Sequence, residues 1–205
     1  MPRDKARVEH HFDFGSPNCY FAHRVIPAIE QRTGATFSYL PILLGGVFKA
    51  TNNQAPLIAF KDIANKLAYD RLEIGRFIAR HRLEKFRVNP FFPVNTLQLM
   101  RGIVGLQDDP AFMPTLEALF CLMWEEGKKM DDPAVIVETL NARGLDGEAF
   151  LGRAQTPEGN AKLMANTERS VARGTFGAPT FFVGEAIYFG KDKLRDVEEA
   201  IVAAR

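Results

Sequence analysis

The chain has only two cysteines in 205 residues, Cys19 and Cys121. Two thiols so far apart exclude a disulfide framework, and the N-terminal MPRDKARVEHHF has no apolar signal segment. Both features predict a soluble cytoplasmic protein. Histidine is scarce too: His10 and His11 are adjacent, while His23 and His81 stand alone. That spacing offers no zinc-like ligand set, so no metal is expected. Neither sign of charge dominates, with 26 basic and 25 acidic residues and a net charge of +1. No basic block or aromatic-basic stripe suggests a nucleic-acid partner. No window approaches the roughly 18 apolar residues of a membrane-spanning helix, and repeats, linkers and low-complexity segments are absent. What is present is ordinary globular material, 46% hydrophobic and 25% charged. The length suits one large domain or a small domain with an insertion.

Residues 8–14 read as a strand. Ser16-Pro17 opens a helix, since serine is a good N-cap and proline is favoured at the first helical position. Ala22, Val25, Ile26 and Ile29 form its apolar stripe. Pro27 should kink it and Gly34 should close it. Residues 35–41 make a second strand. From about 57 to 173 the signals are helical: an amphipathic stretch at 57–82, a two-proline loop at 85–93, then a helix from Asn95-Thr96 towards Gly105. Another helix runs from Pro110 to about Lys129. Others start at Asp132-Pro133, at Asp146 and at Thr156-Pro157. Strand pattern returns at 180–183 and 186–189 around the Gly184-Glu185 turn, and a helix closes the chain at 192–204. A β-α-β unit completed by a hairpin and a helix is the thioredoxin arrangement. The fold class is therefore α/β: a thioredoxin-like domain (8–45 and 174–205) with a large inserted all-helical domain (46–173).

In that arrangement the turn GSPNC at 15–19 stands where a Cys-x-x-Cys redox site would. Ser16 replaces the first cysteine. Its hydroxyl resists ionisation, because a helix dipole supplies only about 1 kcal/mol. Ser16 is either a plain helix cap or a hydrogen-bond donor to another molecule's thiolate, with glutathione the obvious visitor. Cys19 lacks a local partner and reads first as a small buried apolar residue. Cys121, in LFCLMW, reads as core. The Ala178-Pro179 bond would be trans on dipeptide statistics alone. In the thioredoxin context it is cis, turning the Ala178 N–H and C=O outward to pair with a peptide-like ligand. Gly190-Lys191-Asp192 opens the last helix. Asp192 is an N-cap or, with the exposed helix amides, a grip for the α-amino acid end of a γ-glutamyl group.

The segments FDFGSPNCYFA, NPFFPVNTLQLMR (89–101), FGAPTFFVG (176–184) and YFGKDKLRDVEEAI (188–201) resemble the 2-hydroxychromene-2-carboxylate isomerases. Those enzymes are relatives of kappa-class glutathione transferases and DsbA oxidoreductases, and the resemblance spans about residues 8–202. It implies a cytoplasmic homodimer that uses glutathione and a small aromatic carboxylate in aromatic-hydrocarbon catabolism. The implied reaction interconverts 2-hydroxychromene-2-carboxylate and trans-o-hydroxybenzylidenepyruvate by reversible thiolate addition, bond rotation and elimination. It implies Ser16 at the glutathione sulfur, Ala178 and Pro179 at the cysteinyl backbone, and Gly190, Lys191 and Asp192 at the γ-glutamyl end. Asn53 in NNQAP joins them. Lys66 and Tyr69 are implied near the cleft, although periodicity alone makes them an exposed lysine and a half-buried tyrosine. Asn89 and Pro90 open either a loop over the second substrate or a plain turn. Two departures stand out: Asn18-Cys19 replaces aromatic–Ser/Thr, and Asp192-Lys193 replaces Asp-Arg. Other readings of the same residues are a glutathione transferase or peroxidase, a thiol oxidoreductase acting through Cys19, and a binding module without turnover.

Overall fold

The computed structural model describes residues 7–204. Residues 1–6, read for a signal segment, and Arg205, the expected end of the sheet domain, lie outside the described residues. Strand β1 (Arg7–Phe12), helix α1 (Pro17–Thr33) and strand β2 (Thr36–Pro41) form the β-α-β unit, with β1 and β2 parallel. Eight helices follow before the next strand: α2 (Leu44–Ala50), α3 (Pro56–Ala59), α4 (Ala64–His81), α5 (Leu97–Val104), α6 (Phe112–Trp124), α7 (Pro133–Asn141), α8 (Gly147–Ala154) and α9 (Pro157–Ala172). Antiparallel strands β3 (Thr180–Val183) and β4 (Ala186–Phe189), a 3-10 turn at Lys191–Lys193 and helix α10 (Leu194–Ala203) finish the fold. Sheet order is β2-β1-β3-β4, with β3 antiparallel to β1. This is a thioredoxin-like fold carrying a helical insertion.

The sheet is covered on both sides, so β1 is buried along almost its whole length from Val8 to Phe12, His10 and His11 included, rather than on alternate residues. On one side His10 stacks on Phe181 with ring centroids 4.9 Å apart, and Phe12 meets Phe120 of α6. On the other, His11 Nδ1 lies 2.7 Å from Ser170 Oγ of α9. Arg173 donates to Glu9 at 2.8 Å on the same side. One hydrophobic cluster runs from the strands through the inserted helices, including Phe12, Phe14, Phe21, Leu99, Phe120 and Trp124. Each such fully buried side chain contributes about 1.5–3 kcal/mol.

Asp132, Asp146 and Thr156 cap α7, α8 and α9 with side-chain acceptors, as their positions before the helices predict. Four expectations change. The 57–82 stretch is interrupted at 60–63, where Phe60 and Ile63 belong to neither α3 nor α4. Helix α6 is shorter than 110–129. Helix α2 has no sequence signal, because it contains Gly45-Gly46 and starts after Leu43, which makes no side-chain cap. Cys121 is half-buried rather than core, for it accepts from Arg24 Nη2 at 2.9 Å. Arg24 also bonds Glu117 and Glu125, each at 2.6 Å, so this turn of α6 faces a polar network.

Candidate active site

Strand β1 ends at Phe12, and the next four residues make the turn into α1. Asp13 organises that turn from a fully buried position. Its Oδ1 accepts from the Gly15 N–H at 2.8 Å and from the Thr96 hydroxyl at 2.7 Å. Its Oδ2 accepts from the Leu44 N–H at 2.8 Å. Burial pushes the carboxyl pKa up, and these three donors oppose that shift. The Asp13 carbonyl accepts from the Ser16 N–H at 3.2 Å. Trp124, the single tryptophan, donates its indole N–H to the Phe14 carbonyl at 2.8 Å. The turn is thus held from α2, α5 and α6 at once.

Ser16 occupies the N-cap position with extended backbone angles, yet its side chain does not cap α1. Its hydroxyl crosses the sheet edge and donates to the Ala178 carbonyl at 3.0 Å. The first turn of α1 carries no acidic side chain, and the nearest carboxylate, Asp13, is buried in the turn before it. The Ala178-Pro179 peptide bond is cis. The Ala178 N–H has no acceptor among the described residues, whereas its carbonyl is the one Ser16 uses. The expectation that both groups face outward is therefore corrected for the carbonyl.

Neighbouring bonds fix this loop. Thr180 Oγ1 donates to the Gly177 carbonyl at 2.8 Å, and Asn53 Nδ2 donates to the Phe176 carbonyl at 2.9 Å. The Gly190 N–H donates to the Pro179 carbonyl at 2.9 Å. Gly190 has φ 93°, a region that L side chains rarely adopt, and this bends the chain directly from β4 into the 3-10 turn. Ser16, Asn53, Ala178, Pro179 and the Gly190–Asp192 turn therefore form one constellation. Asp192 does not cap α10, whose N-cap is Lys193. Its Oδ1 instead accepts from Lys191 Nζ at 2.6 Å.

The residues expected for a second substrate lie apart from these contacts. Lys66 pairs with Asp70 on α4 and lies over the Phe60 ring. Tyr69 is exposed rather than half-buried. Asn89 is buried, and its amide is engaged: Nδ2 donates to the Met123 and Lys128 carbonyls at 2.9 Å each, and Oδ1 accepts from the Phe91 N–H. Asn89 thus anchors the 85–93 loop to the end of α6, while Pro90 is exposed. The loop reaches the site through Phe92, whose ring lies 5.8 Å from that of Trp124. Asp13, Thr96, Trp124 and Phe92 escaped the sequence reading. The available signals were an acid ahead of Gly-Ser-Pro and the lone tryptophan.

Cys19 lies one turn into α1 and is fully buried. Burial pushes its thiol up to about 12, so it stays protonated at neutral pH. The site has a hydroxyl donor, a free amide N–H, a helix N-terminus and an exposed carboxylate. These are the groups needed to hold a thiolate-bearing peptide.

The family model of the DsbA-like thioredoxin domain matches residues 7–202. The chain belongs to the DsbA-like thioredoxin domain family. Within it, the chain is 28% identical to a 2-hydroxychromene-2-carboxylate isomerase of Pseudomonas sp. (strain C18), over 96% of this chain and 91% of that one. It is 25% identical to glutathione S-transferase kappa 1 of Caenorhabditis elegans, over 95% and 90%. The solved structure of a 2-hydroxychromene-2-carboxylate isomerase superposes with a TM-score of 0.80 at 24% identity, covering 97% of this chain and 95% of that one. A probable DsbA oxidoreductase from Streptomyces coelicolor superposes at 0.74 with 19% identity, over 97% and 89%. These superpositions establish a common fold. Among the described residues no helix is long and apolar enough to cross a membrane, and no histidine, cysteine and carboxylate cluster could hold a metal.

Proposed function

We propose that this DsbA-like protein is a glutathione-dependent isomerase interconverting 2-hydroxychromene-2-carboxylate and trans-o-hydroxybenzylidenepyruvate. One observation carries the reading: Ser16, not a cysteine, is the side chain at the α1 N-terminus, and its hydroxyl is aimed at the Ala178 carbonyl. Such a site binds a thiolate but supplies none. Near-full-length similarity to relatives named as this isomerase supports the reaction class.

Bound glutathione would supply a thiolate that adds reversibly to the conjugated chain and is returned unchanged. The protein's own residues position and stabilise. Ser16 redirects its proton from the Ala178 carbonyl to the sulfur, and the α1 amides add their dipole. The Ala178 N–H takes the cysteinyl carbonyl, with Pro179 shaping that edge. Asn53 holds the loop through Phe176, and the Gly190–Asp192 turn takes the γ-glutamyl end through Asp192, with Lys191 supporting the turn from its buried side. The sheet unit (8–45 and 174–205) thus binds the thiol. The inserted helices (46–173) bind the acceptor, with Lys66 supplying a cation for its carboxylate, Tyr69 and Pro90 shaping the approach, and Asn89 anchoring the loop that carries Pro90. The protein acts in the cytoplasm as a homodimer.

The match to a kappa-class glutathione transferase favours a second reading, the same site with an electrophile that consumes glutathione. Steady-state conversion of 2-hydroxychromene-2-carboxylate, with and without catalytic glutathione, separates the two. Turnover that requires glutathione, leaves its concentration unchanged and collapses in Ser16→Ala supports isomerisation. Stoichiometric loss of glutathione supports transfer. Glutathione binding without turnover on either kind of acceptor would leave only a binding module.

A further inference from the structure

Lys191 stands in the 3-10 turn after β4, yet its side chain is only 5% exposed. A buried ammonium loses hydration and needs compensation. Among the described residues it has two partners. Nζ donates to Asp192 Oδ1 at 2.6 Å and lies 4.9 Å from the centre of the Phe77 ring. Phe77 is the only fully buried residue of α4. Its ring packs on Phe21 of α1 at 5.5 Å and on His81 at 4.3 Å. The ammonium therefore sits where α1, α4 and the turn after β4 meet. Asp192 is by contrast 67% exposed. Lys191 occupies one of its oxygens, and Oδ2 has no donor among the described residues.

We propose that Lys191 is a positioning residue, held by Phe77, that fixes the Asp192 carboxylate to receive the α-ammonium of a γ-glutamyl ligand. The proposal rests on the glutathione reading above and assigns Lys191 no direct ligand contact. A carboxylate pinned through Oδ1 pays less ordering entropy when Oδ2 binds. A charge-assisted N–H···O bond is also sensitive to that aim. The Lys191–Asp192 pair is neutral as a unit. It therefore suits a zwitterionic α-amino acid end better than a simple cation. Phe77 contributes its ring face, which attracts the ammonium and keeps it from swinging to water. Helix α4 is tied to the thiol site through this contact.

Calorimetric dissociation constants for glutathione and for its des-amino analogue, glutaryl-cysteinyl-glycine, test this on the full chain. The wild type is expected to prefer glutathione, and Asp192→Asn to lose that preference. Lys191→Met is expected to lower the preference about tenfold, with a much smaller change for the des-amino analogue. Phe77→Leu keeps the lysine but removes the ring, and should give an intermediate preference if Lys191→Met proves too unstable to study. A purely structural lysine would weaken both ligands in parallel, and that result overturns the proposal. Loss of preference in Asp192→Asn but not in Lys191→Met or Phe77→Leu also overturns it, while leaving the γ-glutamyl reading intact. A wild type that binds both ligands equally, or neither, overturns both.

Discussion

Thr96 donates its hydroxyl proton to the Asp13 carboxylate across 2.7 Å, joining residues 83 apart in the chain. That bond ties the start of α5 to the turn that presents Ser16. The same carboxylate takes the Leu44 N–H at the start of α2. One acid thus aligns the Ser16 turn with two helices of the insertion.

Because donors converge on both oxygens, Asp13→Asn must point an amide N–H at an N–H or O–H. It is expected to destabilise the fold by roughly 2–3 kcal/mol, the cost of leaving buried donors unpaired. Ser16-dependent activity should fall further than stability alone explains. Thr96→Val should lose less, since only one of three bonds goes. Denaturant unfolding and turnover of both variants check this, and equal stability of Asp13→Asn and wild type would refute it.

Cys19 should be chemically silent. With its thiol pushed up to about 12 by burial, native Cys121→Ser protein is expected to resist thiol reagents at pH 8 and to react once unfolded. Cys19→Ala should keep most of the activity and lose about 1 kcal/mol of stability or somewhat more. Rapid native reactivity, or abolished activity in Cys19→Ala, would instead favour the thiol-oxidoreductase reading.

Acid should unfold the protein through its sheet histidines. Burial lowers His11 to about 4 and His10 also, well below the ordinary value. Unfolded histidine titrates near 6.5. The unfolded chain therefore binds these protons more tightly. The histidine contribution is present above about pH 6.5 and is lost as pH falls towards 4. Glu117, drawn down to about 2 by His23 and then Arg24, keeps its contribution until lower pH. Melting temperature measured against pH should show this slope. His11→Gln, which can still bond Ser170, should flatten it. His10→Phe should flatten it too and raise stability by about 1 kcal/mol, because neither ring nitrogen of His10 has a partner among the described residues. An unchanged slope in both variants would count against this origin.

A Cβ at Gly177 would stand 2.7 Å from Cε2 of the Phe189 ring. That ring is half-exposed and tilted against Phe176 with centroids 4.5 Å apart, so it can yield at the surface. Gly177→Ala is expected to cost about 1 kcal/mol of stability and to weaken glutathione binding by shifting Ala178. The double variant with Phe189→Leu should recover binding. Additive losses in the double-mutant cycle would show that the two positions do not act through this contact.

The sequence by itself determined the opening β-α-β unit, the helical middle and the closing hairpin and helix, while α2 and the break between α3 and α4 left no local signal. Cap-then-proline pairs, strand runs and a glycine turn are local signals, set by backbone sterics and hydrogen bonds within a few residues. They placed Ser16, Ala178 and Gly190 at the ends of elements that a thioredoxin sheet brings together. The tertiary structure alone decided what those residues do there. Ser16 carries the pattern of a helix cap, but its hydroxyl turns to Ala178 because β3 runs beside β1. Asn89 looked like a loop residue free to meet a substrate, but two carbonyls at and beyond the end of α6 engage its amide. Lys191 is buried against the Phe77 ring, which its turn position does not foretell, and Asp13 drew no notice until three donors met on it. Such roles depend on partners distant in the chain, and only packing brings those partners within hydrogen-bond reach.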